Sequence, residues 1–169
     1  DVELWKRKRY GKRRGEPVPE GPICVEFLSG AVVLVRMSVM RLTGFYDPEI
    51  FLYFEDDDMC LRLRKAGYSL ILVPKSVVVH LNAGSVRPGR SYHWEKFWHF
   101  AWSRIYIEGK YRGPTARTLL AVRLGLRFGC KAMVNAMIGR RYNCWRDLAR
   151  SAGSLGAVLG ARGSKLPRA

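Results

Sequence analysis

The chain has 169 residues, of which 48% are apolar and 12% aromatic; a composition of that kind buries a core and excludes a wholly disordered chain. Its 30 Lys and Arg against 14 Asp and Glu give a net charge of +16. The charge is uneven: residues 1–58 hold nine basic and eleven acidic side chains, whereas residues 59–169 hold 21 basic and three acidic ones, Glu95, Glu108 and Asp147. A C-terminal part so basic points to an anionic partner: a membrane surface, nucleic acid or phosphorylated ligands.

The first segment, 1–22, reads as a basic loop. Trp5 to Tyr10 and Lys12 to Arg14 are cationic runs, and Pro17, Pro19, Gly21 and Pro22 then oppose regular structure. Residues 23–28 and 31–35 are short apolar runs of strand character, separated by Ser29-Gly30, and 36–42 suits a short helix. Gly44 to Pro48 forms a turn. Phe51-Leu52-Tyr53-Phe54 leads into Glu55-Asp56-Asp57-Asp58 and then a helix to Lys65. Acids stand in its first turn and bases in its last, and Gly67 falls where a left-handed cap belongs. Tyr68 to Val73 is predicted as a strand ended by Pro74, and Val77 to Leu81 as a further buried strand. The pattern is α/β.

From Ser91 to Tyr111 the chain is aromatic and basic. Trp94, Trp98 and Trp102 share one helix face, for which packing is the simplest reading. Gly113-Pro114 opens a second helix running to about 138. Arg123, Arg127 and Lys131 form a basic stripe on its otherwise apolar surface, while Gly125 and Gly129 weaken it and call for apolar surface to form against. A Gly- and Ala-rich segment then leads to a basic tail.

Cys24, Cys60, Cys130 and Cys144 lack metal-finger or redox spacing and read as reduced thiols of a cytoplasmic chain. No run of 18 apolar residues and no signal sequence is seen. The chain opens on Asp1-Val2-Glu3 without an initiator Met, so a longer parent is expected.

The cluster at 55–58 carries the chemistry. A helix dipole favours acids at its N-terminus by about 0.3–1 kcal/mol each, which accounts for one or two of them better than for four. A carboxylate at the end of an apolar run is placed as a general base or metal ligand would be.

Ser29-Gly30-Ala31, Gly44 to Asp47, Phe51 to Arg62, Lys65 to Tyr68, Val73-Pro74 and Val79-His80-Leu81 occur in an order and spacing that closely resemble the second half of family-2 glycosyltransferases of the GT-A fold, especially bacterial rhamnosyltransferase-like members. The resemblance spans residues 23–86. It implies an inverting displacement from a nucleotide-sugar donor onto a hydroxyl of a glycan or glycolipid acceptor. It implies Asp56 as general base, with Glu55, Asp58, Ser29 and Gly30 supporting the motif or contacting the acceptor. It also implies His80 as ligand to a divalent metal, Mn²⁺ or Mg²⁺. The motif for processive synthesis is absent, so one sugar per encounter is implied.

The fold class expected is the C-terminal half of a GT-A, Rossmann-like α/β domain followed by basic amphipathic helices: 1–22 loop, 23–112 acceptor-side catalytic part, 113–169 helical extension. The N-terminal donor-binding half is missing, so the chain is expected to be inactive alone. Arg123, Arg127 and Lys131 are expected to contact an anionic membrane, placing the enzyme peripherally at the cytoplasmic face. The rivals are a basic nucleic-acid-binding module, opposed by the acidic cluster and the lack of any nucleic-acid motif, and an inactive remnant of a truncated gene.

Overall fold

The computed structural model describes residues 19–79 and 90–163. Seven elements follow in order: β1 (Ile23–Val25), α1 (Met37–Thr43), α2 (Glu55–Lys65), β2 (Leu70–Leu72), α3 (Arg90–Arg112), α4 (Pro114–Met137) and α5 (Arg141–Gly156). They fall into two compact units. One holds residues 19–47 and 55–79, the other 48–54 and 90–163. The fold is mixed, with helices predominating over one small sheet.

In the first unit β1 and β2 pair antiparallel, Ile23 opposite Leu72 and Val25 opposite Leu70. Val39 and Met40 of α1 join Met59, Cys60 and Leu63 of α2 and Leu70 of β2 in one core. α2 ends as its sequence dictates. Gly67 takes φ +84, the Tyr68 N–H donates to Leu63 O at 3.0 Å and the Gly67 N–H to Arg64 O at 3.0 Å, a Schellman closure that a side chain with a Cβ would strain.

Two expected strands are not found among the described residues. Ala31 and Val32 lie in a turn and bend and 33–35 are irregular; Val32 is 60% and Leu34 100% exposed, while Val33 and Val35 turn toward the core. The alternation typical of a strand is present without a neighbouring strand to complete a ladder. Val77 to Val79 are likewise exposed and irregular rather than buried. The predicted run 23–28 is strand only to Val25, because from Glu26 onward its backbone bonds to α2 instead.

In the second unit α3, α4 and α5 pack against one another. The segment 48–54 lies along α3: the Ser103 hydroxyl donates to Leu52 O at 2.9 Å, and Phe51 meets His99 at 4.9 Å between ring centres. The Trp row of α3 is largely packing, as expected. Trp98 stacks on Trp102 at 6.3 Å and Trp102 on Tyr106 at 5.1 Å; Trp102 is 2% exposed and its indole N–H donates to Ala161 O at 2.8 Å.

The Gly- and Ala-rich stretch, read in the sequence as a connection to the tail, is mostly α5. Its small residues are what let it form where it does. A Cβ on Gly153 would run into the backbone carbonyl of Trp98, so α5 and α3 meet nearly backbone to backbone there. Likewise Leu155 fills the space over Gly125 of α4, and the Ser151 hydroxyl donates to Gly125 O at 2.8 Å. The glycines that weaken α4 in isolation are therefore its docking surface for α5.

α4 carries apolar residues on two sides. Ala121, Leu124, Gly125 and Ala132 are buried inward. Leu119, Val122, Leu126, Met133 and Met137 recur at helical spacing on the opposite side and are 44–85% exposed. Arg123, Arg127 and Lys131 are exposed beside that outer stripe. No helix among the described residues is long and apolar enough to cross a membrane.

Candidate acceptor-side active site

The site is built where the loop after β1 runs antiparallel to α2. Three alternate residues of the loop bond to three successive turns of the helix. Arg64 Nη1 donates to Glu26 O at 3.4 Å; Cys60 Sγ accepts from the Leu28 N–H at 3.4 Å and donates to Leu28 O at 3.7 Å; Asp56 Oδ2 accepts from the Gly30 N–H at 3.0 Å. Two extended residues advance about 6.6 Å and four helical residues about 6 Å, so the spacings match and the loop is stitched to the helix turn by turn. Burial pushes the Cys60 thiol up, helped by Asp56 and Asp57 and opposed by the backbone of Leu28, which keeps it a protonated donor. All four cysteines are free.

Gly30 is needed for the close approach. A Cβ there would stand 3.3 Å from Asp56 Cβ and 3.6 Å from Oδ2. Asp56 Oδ1 also accepts from the Asp57 N–H at 2.9 Å. Two backbone donors thus orient the carboxylate, and each oxygen keeps a further lone pair for an incoming proton. Ser29 is exposed next to this contact.

The other acids divide the work. Asp58 is fully buried and accepts from Arg62 Nε at 2.8 Å. The rest of the Arg62 guanidinium donates to Thr43 O and Gly44 O at 2.6 Å and to Phe45 O at 2.5 Å, closing the carbonyls at the end of α1. Asp58 therefore holds the turn that carries Tyr46. Glu55 is half-buried, and its Oε2 has no hydrogen-bond partner among the described residues. Burial pushes its carboxyl up, Asp56 adds to the rise and a backbone hydrogen bond opposes it. The Tyr46 phenol is also raised, by burial first and then by the carboxylates of Asp56 and Glu55. Tyr46 thus shares the field of the acidic pair, a role that residue type alone does not signal.

Immediately before α2, Tyr53 and Phe54 have φ of +65° and +70°. Two consecutive bulky residues in the left-handed region cost on the order of 1–3 kcal/mol each and concentrate at functional sites. Phe54 is buried and its ring meets Phe100 at 5.3 Å, which holds the strained turn.

Of the residues singled out in the sequence, Gly30 and Asp56 are in contact, Glu55 and Asp58 flank them on α2, and Arg123, Arg127 and Lys131 lie on α4 in the second unit. His80 and most of the basic 1–22 loop lie outside the described residues. Among the described residues no three His, Cys, Asp or Glu side chains gather into a metal-holding set.

Two curated proteins of Mycobacterium tuberculosis (strains CDC 1551 / Oshkosh and ATCC 25618 / H37Rv), named N-acetylglucosaminyl-diphospho-decaprenol L-rhamnosyltransferase, are 33% identical over 142 residues, covering 78% of the chain and 45% of each relative. The chain is a homologue of rhamnosyltransferases. A rhamnosyltransferase of Escherichia coli (strain K12) is 36% identical over 88 residues, 51% of the chain and 32% of that protein. This chain therefore spans about half the length of the mycobacterial rhamnosyltransferases it matches, 45%. The longer match exceeds the 23–86 stretch that carries the motifs. No family model and no solved structure matches.

Proposed function

We propose that this chain is the acceptor-side part of a nucleotide-sugar glycosyltransferase, with Asp56 as general base in an inverting displacement. A hydroxyl is a poor nucleophile until its proton is removed, and a positioned base supplies about 10²–10⁴-fold. The observation that carries the reading is the Gly30 N–H bond to Asp56 Oδ2, which ties the Ser29-Gly30 element to the acidic motif across 26 residues of sequence. Glu55 and Tyr46 shape the field around the base. Asp58 holds the motif through Arg62, and Ser29 and Gly30 form the edge on which an acceptor rests.

The donor is a nucleotide-activated sugar, rhamnose by analogy with the relatives, and the acceptor a glycan or glycolipid of cell-wall or polysaccharide biosynthesis. A separate N-terminal half binds the donor, and the exposed apolar residues Val32, Leu34, Val77 and Val79 form part of the surface that such a half would cover. A divalent metal, Mn²⁺ or Mg²⁺, belongs to the complete enzyme with His80 as one ligand. The outer stripe of α4 lies in the plane of an anionic membrane at the cytoplasmic face, with Arg123, Arg127 and Lys131 toward the headgroups.

Transfer by the complete protein from a nucleotide sugar to a hydroxyl acceptor, with the product's anomeric configuration read by NMR, tests the reading. Inversion is expected; retention or absence of transfer would overturn it.

A further inference from the structure

The aromatic side chains of the second unit are used in two ways. Trp98, Trp102 and Tyr106 stack and are filled in by neighbouring helices. Toward the start of α3 the rings instead stand open. Trp94 meets Trp145 of α5 edge to face at 5.6 Å and 78°, and His93 meets Tyr142 at 5.5 Å and 87°. Trp145 and Tyr142 remain 57% and 56% exposed. Together with Phe97 these rings line a cleft of about 420 Å³, within the range of small-molecule sites.

The charged groups at the cleft are cationic, and His93 and Tyr142 add a ring nitrogen and a hydroxyl to its lining. Arg141 and Arg146 both line it. Arg146 is fixed by Asp147 through two hydrogen bonds of 2.9 and 3.1 Å. The Arg141 guanidinium is exposed and has no ion-pair partner among the described residues. Arg150 lies behind, over the Phe97 ring at 4.9 Å. Burial, and then the like charge of Arg146, lower its guanidinium. Asp147 pairs with this group, and it already accepts from Asn135 at 3.0 Å as well as from Arg146. Arg141, Arg146 and Arg150 together outnumber Asp147.

These features select among ligands. A neutral sugar would leave the exposed Arg141 charge unmatched. A flat nucleobase needs parallel ring faces, and these pairs are close to perpendicular. A flexible hydrocarbon chain fits the corner between edge-to-face rings, and a phosphate suits the free guanidinium.

We propose that the cleft between α3 and α5 binds a single amphiphilic phosphate, its apolar chain among Trp94, Phe97 and Trp145 and its phosphate or diphosphate on Arg141 and Arg146. The proposal rests on the transferase reading only for the lipid's role as carrier of an acceptor sugar; binding itself is read without transfer, so either can fail alone.

The test uses the full chain and tryptophan fluorescence, with farnesyl diphosphate kept below its micelle concentration as probe. Farnesol, inorganic diphosphate and uridine diphosphate are the comparison ligands. Farnesyl diphosphate should give a saturable change, with each comparison ligand weaker by about tenfold or more, as loss of a charge-assisted contact or of the apolar chain requires. Arg141→Glu and Trp145→Ala, both at exposed positions, should each weaken binding of the probe with the circular dichroism spectrum unchanged. Equal binding of farnesol, inorganic diphosphate or uridine diphosphate would overturn the proposal. So would a change seen only above the micelle concentration, or undiminished binding by folded Arg141→Glu.

Discussion

Asp56 and Asp58 are two residues apart and bear opposite duties, because an α-helix turns neighbours to different surroundings. Asp58 is buried against Arg62, whereas Asp56 faces the loop at Gly30 and keeps acceptor capacity. Glu55 differs again, its carboxyl raised mainly by burial. A raised carboxyl holds its proton more tightly in the folded state than in the unfolded one. Its contribution to stability is complete below the ordinary carboxylate range and is lost as pH rises through the raised value. Glu55→Gln removes that titration. Urea midpoints measured from pH 4 to pH 8 should show the variant gaining on the wild type as pH rises; a constant difference across the series would contradict the assignment. Identity of the acidic cluster was legible in the sequence, since four adjacent carboxylates demand an explanation. The strained Tyr53-Phe54 turn and the part of Tyr46 were not, because neither residue type advertises left-handed backbone or proximity to the acids.

At the level of elements, local signals were read well where the chain alone decides. α2 with its acidic start and Gly67 closure, α1, the 70–72 strand and the Pro-initiated α4 all follow from capping and periodicity. The expected strands at 31–35 and 77–81 follow from β-rich composition, but a strand also needs a neighbour, which is a tertiary condition that no local pattern contains. α5 was expected only as an undelimited part of the 113–169 helical extension, for the converse reason: Gly153 and Gly156 are poor evidence of a helix in isolation and good evidence of close packing. That packing is testable. Gly153→Ala drives a methyl into the Trp98 carbonyl and should destabilise by about 1–3 kcal/mol. Gly129→Ala meets only Ser151 Oγ at 3.5 Å and should gain up to about 1 kcal/mol from helix propensity. Thermal melts of the two variants should therefore move in opposite directions; a shared direction would show that the α3–α5 contact is not what Gly153 serves.

For the whole molecule, charge and apolar exposure coincide. The excess of basic residues lies in the C-terminal part, and α4 puts three of them beside an outward apolar stripe. Each such residue contributes about 1 kcal/mol at an anionic surface. Co-sedimentation with anionic vesicles should exceed that with neutral ones and fall when Arg123, Arg127 and Lys131 are changed to Glu; equal binding throughout would remove the membrane from the account. The chain spans 45% of its mycobacterial relatives, so activity is tested on the complete protein. The central claim is that Asp56 takes the acceptor proton. Sugar transfer by the complete protein carrying Asp56→Asn, measured with donor affinity, tests it most directly. Asn keeps the shape and the bond from Gly30 but takes no proton, so transfer should fall by about 10²–10⁴-fold with donor affinity unchanged. Transfer near the wild-type rate would contradict the claim.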